Sequence, residues 1–489
     1  MTSLHRVTGG PSRSKTKNFG RKALLPGSLL LFLSGCITFS PDGGMTPVAS
    51  YADAVLQKNV AVIKSEDDSI AAKDAIDRLR HRALTADAAV QIALLNNRKL
   101  QAAYNELAIA EAESVAQSLP PNPTFSISRI ASHGAYELEA QVALDILALA
   151  TLPARSEIAA TRFRQAQLQA IQVTLQTAAD ARRAYYRAVA ANELVALLIQ
   201  AQATAKSTAK LAAKLGETGS LNKLDQAREQ VFYAEVTADL ANARQQASSA
   251  RERLVRLLGF WGDDLNFSLP GALPALPTRP GNLPTIETEA VSKRIDLQIA
   301  RAELELMARS LGLTQATRFV SMLDLSGIAK RAKDPDGTIT RERGLEAQIQ
   351  IPIFDLGETR VRQAEAAYMQ AVNKLADKAI RVRSEAREAY RAYRTSYDIA
   401  GHYQREILPL RKIISEENQL RFSAMQIDVF ALLQEARQRI AALRAAIEAK
   451  RVFWLAEANL KAAILGGGTE ENAAETSGAA SADASSGGH

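Results

Sequence analysis

Tyr136-Glu-Leu-Glu-Ala-Gln-Val-Ala-Leu-Asp-Ile146 puts Tyr136, Leu138, Ala140, Val142, Leu144 and Ile146 on one side and Glu137, Glu139, Gln141, Ala143 and Asp145 on the other. A period of two is the signature of a strand with one apolar and one polar face. Leu138-Glu-Ala-Gln141 returns as Leu345-Glu-Ala-Gln348, a shift of 207 residues, inside a second alternating run of Leu345, Ala347, Ile349, Ile351 and Ile353. The chain therefore contains its strand pattern twice.

Two further anchors extend the repeat outward. Leu258-Gly259 recurs as Leu465-Gly466 at the same shift of 207, and Leu100-Gln101 matches Leu297-Gln298 at a shift of 197. Ordered anchors of this kind mark a duplication. The halves run over 84–260 and 286–468, joined by a Pro-rich linker, 261–285, with Pro270, Pro274, Pro277, Pro280 and Pro284. Such spacing forbids helix. The tail 469–489 is Gly, Ala, Ser and acid without an apolar period and is expected to be disordered.

Each half predicts a helix, two strands and two long helices. The first helix is expected over 86–118, opened by Thr85 and ended before Pro120-Pro121. Partner strands are expected from Thr124 to Ile130 and from Phe319 to Ile328, with turns at His133-Gly134 and Asp334-Pro-Asp-Gly337. Long helices follow, from Arg155 to Leu215 and from Leu356 to Phe422, each about 90 to 100 Å at roughly 1.5 Å per residue. In the second of these, Val361, Tyr368, Leu375, Val382 and Ala389 recur every seven residues as a coiled-coil seam. Return helices span 221–258 and 428–465. An alternating strand of about eleven residues suits a tilted crossing of a bilayer. Four strands cannot close, and an open edge is not tolerated in lipid, so an oligomer must complete the sheet.

The 489 residues are 47% hydrophobic but only 5% aromatic, with 60 basic and 53 acidic side chains. Six of the bases, and no acid, fall in 1–35, so the remainder balances at 54 against 53 and gives no reason to expect a nucleic-acid partner. An apolar run of about eleven residues, Ala23 to Leu33, is too short to span a bilayer and reads as the core of a signal peptide over 1–35. Leu33-Ser-Gly-Cys36 resembles a bacterial lipobox. That likeness implies cleavage before Cys36, a covalent lipid on its thiol, and an N-terminal lipidated segment over 36–83. Ile37, where an aspartate would direct retention in the inner membrane, favours the outer one.

Ile351-Pro-Ile-Phe-Asp-Leu-Gly357 followed by Arg360, Lys293-Arg-Ile-Asp-Leu297, Leu95-Asn-Asn97 and Ala463-Ile-Leu-Gly-Gly-Gly468 are similar to segments of the TolC-type outer-membrane efflux proteins. The resemblance covers nearly all of 84–468. Ile295 stands where that family has proline, and Ile146-Leu-Ala-Leu-Ala150 departs from the strand-to-helix signature of Ile353 to Gly357. The resemblance implies a mainly α fold with a membrane β-barrel: a homotrimer whose twelve strands cross the outer membrane and continue as a periplasmic helical barrel. It also implies, as partners, a periplasmic adaptor and an inner-membrane pump of the RND type.

The helix-hairpin tips are the expected docking points for the adaptor: Gly216, Gly219, Ser220 and Leu221 in the first half, Met425, Gln426 and Ile427 in the second. At a shift of 206 Met425 replaces Gly219, and the positions where family members carry gating aspartates are Ala431 and Gln434. Asp225 with Arg228, or Asp428, are candidate gate residues, with helix capping as their alternative role. His5, His81, His133, His402 and His489 share no ligand spacing, and no phosphate loop, GxSxG or HExxH occurs. No cofactor and no enzymatic activity are expected. The leading function is a passive export duct for drugs or metal ions; the alternative is a non-conducting periplasmic coiled-coil adaptor or envelope scaffold lipoprotein. Cys36→Ser should abolish incorporation of labelled palmitate, and persistent labelling would remove Cys36 as the lipidated residue.

Overall fold

Polar side chains at a few chain positions decide where helices start, and the duplication makes those positions come in pairs. The computed structural model describes residues 39–466 and Gly468. Cys36, the segment 1–35 and the tail 469–489 lie outside the described residues. Helices α1 (Thr46–Leu56) and α2 (Glu66–Arg80) lead in, the latter opened by a Ser65–Asp68 capping box.

The helix expected over 86–118 is two helices, α3 (Ala86–Asn96) and α4 (Arg98–Ser118). Thr85 caps α3 as expected, its hydroxyl accepting from the Ala88 amide at 3.1 Å. Asn97 breaks the run because its backbone is extended and its side chain accepts from the Leu100 amide, capping α4. Then come β1 (Thr124–Ser132), β2 (Ala135–Asp145), the short α5 (Ile146–Ala150), α6 (Leu152–Glu217) and α7 (Lys223–Leu258).

The second half repeats the plan with α8 (Ile286–Lys293), α9 (Ile295–Ala316), β3 (Met322–Lys333), β4 (Ile339–Gln350), α10 (Glu358–His402), α11 (Leu408–Ser423) and α12 (Val429–Leu465). The break between α8 and α9 falls at Arg294, the position 197 residues after Asn97. Several strand limits differ from the expected ones. β3 begins at Met322, not Phe319, and runs on to Lys333; β4 ends at Gln350, before Ile351 and Ile353. Pro352 has no amide to donate to a ladder, so the strand stops there.

α6 has 66 residues, about 100 Å at roughly 1.5 Å per residue. Its counterpart is α10, a π turn over Tyr403–Ile407, and α11: 45, 5 and 16 residues, together again 66. Pro409, at the start of α11, cannot donate to the carbonyl four residues back, and the wider turn relieves that lost bond. Of the expected seam of α10, Val361, Val382 and Ala389 are buried, while Tyr368 and Leu375 are half-buried.

Each half has its own core. One gathers α3, α4, α6 and the end of α7 around Ile92, Leu100, Tyr104 and Leu254; the other gathers α8, α9, α10 and α12 around Leu297, Val382 and Phe453. Trp454 belongs to both. Its ring stacks on Tyr186 at 5.2 Å and meets Phe453 edge-on at 5.1 Å, while its indole N–H donates to the Pro274 carbonyl at 3.1 Å. The Pro-rich linker is thereby a packed strap: Tyr397 also donates to the carbonyl of Pro277 or Thr278, and Gly281 donates to the Tyr393 hydroxyl.

The break residues close each core against the end of a return helix. Asn97 donates to the Leu257 carbonyl at 2.9 Å, and Asn96 to those of Leu258 and Gly259. Arg294, 4% exposed, instead forks onto Asp296 at 2.8 and 3.0 Å and reaches Glu385 at 2.5 Å and the Ala463 carbonyl at 3.4 Å. Burial disfavours the Arg294 charge, but Asp296 and Glu385 outweigh it and raise the pKa. Gly259 and Gly466 end α7 and α12 in the left-handed region, and a Cβ on Gly259 would stand 2.5 Å from the Asn96 carbonyl oxygen. Gly259→Ala should therefore destabilise the protein by about 2 kcal/mol or more. A thermal midpoint equal to that of the unaltered protein would contradict this packing.

Candidate functional site

Two regions expose features a soluble core does not explain: the sheet, and the hairpin tips at the other end of the long helices. The strands form one antiparallel sheet in the order β1-β2-β3-β4, so the two halves join through β2 and β3. Every residue of β1 and β4 is exposed, and among the described residues each leaves one edge without a ladder partner.

Alternation along the strands sorts the side chains by face. Leu325 is 45% exposed and Ser326 5%, which makes the Leu325 side convex and the Ser326 side concave. On the convex side, direct partners form rows: Leu323 with Ile349; Leu144, Leu325 and Ala347; Phe125, Val142, Gly327 and Leu345; and Ile127, Ala140, Ala329 and Arg343. The first three rows are wholly apolar and cover about 13 Å along the strand, at roughly 6.7 Å per pair of residues, and the fourth adds Arg343 at their turn-ward end. Phe319 and Phe354 lie exposed where the helices begin, and Tyr136 lies near the turns, so aromatic rings flank the band at both ends. An apolar band bounded by aromatics is a lipid-facing surface.

The concave side carries Glu137, Glu139, Asp145, Asp324, Glu342 and Glu346 against Lys330, which pairs with Glu137. Gln141 donates to the Ser326 hydroxyl across the same face at 2.9 Å. Among the described residues no group of three or more His, Cys, Asp and Glu is placed to hold a metal ion.

Two different junctions carry the strands into the long helices. After β4, Asp355 accepts from the amides of Gly357 and Thr359, and Arg318 and Arg360 bind the carbonyls of Leu356 and of Thr317 and Arg318. These bonds give the segment from Ile351 to Gly357 its irregular turn. After β2, Asp145 caps α5 through the Ala148 amide, and the chain passes almost directly into α6. This is the structural form of the sequence departure at Ile146–Ala150.

At the tips, Gly219 has φ +72° and Met425 φ +56°. The methionine has taken over the left-handed turn position that its counterpart fills with glycine, and it is 94% exposed. Gly216 accepts from the Gly219 amide, and Leu215 accepts from that of Leu221. Ser220 bonds to Thr218, and Gln426 donates to the Arg421 carbonyl, so both turns are closed by backbone bonds, with Ile427 just ahead of α12. Asn222 caps α7 through the Asp225 amide, and Asp225 pairs with Arg228 at 2.9 Å. Asp428 caps α12, accepting from Ala431 at 2.9 Å.

Behind these rims lie acids the sequence reading passed over. Glu229 and Glu435 each follow their turn residue, Gly219 and Met425, by ten positions, and both are buried. Arg437 reaches from α12 to Glu229 on α7 at 2.7 Å and stacks over Phe232; Arg411 reaches Glu435 at 3.2 Å. Among the described residues, one oxygen of each glutamate and Nε of Arg437 have no hydrogen-bond partner. Aligning the two tips on the 206-residue shift would have paired these acids, since burial alone hides them from composition.

No family model matches the chain. It is similar to the cobalt-zinc-cadmium resistance protein CzcC of Cupriavidus metallidurans, 25% identical over 323 residues, covering 65% of this chain and 75% of that one. Among solved structures it resembles the Campylobacter jejuni CmeC outer membrane channel with a TM-score of 0.67, 17% identity and coverage of 86% and 92% of the two chains. It also resembles the transmembrane channel protein CusC with a TM-score of 0.64, 18% identity and coverage of 78% and 91%. A duplicated helical frame carrying a four-stranded antiparallel sheet is thus a fold the chain shares with solved outer-membrane channels.

Proposed function

We propose that three copies of the chain close a twelve-stranded barrel in the outer membrane and form a passive efflux duct for cations. The observation that carries this reading is the sheet itself: unpaired edges on β1 and β4, an apolar convex face and an acidic concave face. The β4 edge of one copy pairs with the β1 edge of the next, which satisfies the backbone groups that lipid cannot. Six concave carboxylates against one lysine would then line the lumen in triplicate, a ring-like field that admits cations and repels anions. The likeness to a cobalt-zinc-cadmium resistance protein supports divalent metal ions as the cargo. An adaptor or scaffold that stays in water gives no use for an exposed band containing Phe125, Val142, Leu345 and Ile349.

At the other end, Gly216, Gly219, Ser220 and Leu221 with Met425, Gln426 and Ile427 form the docking surface for a periplasmic adaptor, which connects the duct to an inner-membrane pump of the RND type. The exposed, unbranched Met425 suits an adaptable apolar contact. Asp225, Arg228 and Asp428 make the polar rim of the entrance, and the Glu229–Arg437 pair behind it latches the two hairpins together in the resting state. A lipid on Cys36 adds a second hold on the outer membrane.

The purified full-length protein should have the native mass of a trimer and conduct in planar bilayers with cations favoured over anions. Replacing Glu139, Glu342 and Glu346 by Gln should shift the reversal potential in a salt gradient toward zero; a monomer, or an unchanged potential, would sink the duct or its selectivity respectively. Arg437→Gln leaves Glu229 buried without its cation, a loss of about 3 to 5 kcal/mol to the closed arrangement. It should raise the resting current of the channel, and an unaltered current would remove the latch.

A further inference from the structure

The convex face changes character toward its turns, and the rows show how. Arg129, Leu138, Arg331 and Arg341 are direct partners across the four strands, with Lys333 one row nearer the turns and Arg343 one row nearer the helices. Five basic side chains thus share the face that is apolar over the rest of its height. Arg331 and Arg341 stand opposite each other on neighbouring strands, where like charges repel. The acids of these strands, Glu137, Glu139, Glu342 and Glu346, alternate onto the other face and cannot neutralise them. Among the described residues none of the five bases has an ion-pair partner, whereas Arg294, Arg309, Arg318, Arg411 and Arg437 elsewhere all do. Asp334 and Asp336 lie in the turn beyond, and the Asp336 carboxylate is engaged by the Thr338 amide.

We infer that this basic belt binds the phosphate groups of a phosphorylated glycolipid of the lipid A kind in the outer leaflet. The inference rests on the membrane-spanning reading of the sheet, which places the turns and the belt at the outer surface. Tyr136 marks that level, and Arg129 lies over its ring at 5.7 Å. Guanidinium groups match phosphate oxygens two at a time, so a phosphate between Arg331 and Arg341 turns their mutual repulsion into a shared contact. The apolar rows below receive the acyl chains of the same molecule. Closure with neighbouring copies would bring Arg341 and Arg343 on β4 beside Arg129 on the next β1, making the belt continuous.

The test uses full-length protein in phosphatidylcholine nanodiscs, with added lipid A or dephosphorylated lipid A counted by native mass spectrometry. The unaltered protein should retain lipid A, and the triple variant Arg331→Gln, Arg341→Gln, Arg343→Gln should retain it about 100-fold more weakly, at roughly one charge-equivalent of surface attraction per residue. The triple lysine variant should keep most of the binding, which separates lost charge from lost folding. Equal retention of lipid A by unaltered and glutamine forms, equal retention of the two lipids, or full displacement by inorganic phosphate would overturn the proposal. Normal insertion and conductance by the glutamine variant would show that the duct reading survives such a failure; if the unaltered protein does not insert at all, both readings fall.

Discussion

A four-stranded antiparallel sheet leaves a row of backbone N–H and C=O groups unpaired along each outer strand, and hydrocarbon has no water to satisfy them. This constraint orders much of what the chain does. β1 and β4 are exposed along their whole length, and the four strands come two from each half, joined in the middle by β2 and β3. A sheet so built is incomplete alone and self-complementary in copies, which is why the proposed function is inseparable from oligomer formation.

The long helices answer a different demand. A helix of about 100 Å has too little buried surface per turn to be held by one globular core, so α6 and the α10–α11 run are held at intervals: cores near the break residues, an aromatic stack at Trp454, and ion pairs toward the tips. The duplication supplied these holds twice, yet with different chemistry. Asn97 and Arg294 occupy equivalent positions and both bind carbonyls at the end of a return helix. The first does so as a neutral amide, the second as a buried cation that needs Asp296 and Glu385 to stay charged. Geometry was kept while the side chains diverged, as expected when the backbone groups to be satisfied are the same.

The two halves also differ where function is concentrated. Gly219 and Met425 take the same left-handed turn, one with a residue suited to it and one with a residue that pays in backbone strain for an exposed apolar side chain. The strand-to-helix junctions follow different paths, and only the second helical run carries a π turn, before Pro409. These asymmetries turn a simple repeat into alternating, non-identical walls.

The periods in the chain determined by themselves that there are two halves, each with a hairpin of alternating faces and a pair of very long helices, because periods of 2, 3.6 and 7 are local properties of side-chain direction. They also placed the caps at Thr85 and Asp428, whose bonds reach only three residues ahead. Tertiary structure alone decided the rest. Asn97 looked like an ordinary helical position until its side chain met α7, and the Pro-rich strap looked like a free linker until Tyr393, Tyr397 and Trp454 bound its backbone. The pairing of β2 with β3 set which arginines share a row. The partners of Glu229 and Glu435 lie on other helices. Such contacts join residues far apart in the chain, and no local period encodes which of many exposed charges will meet when the helices pack.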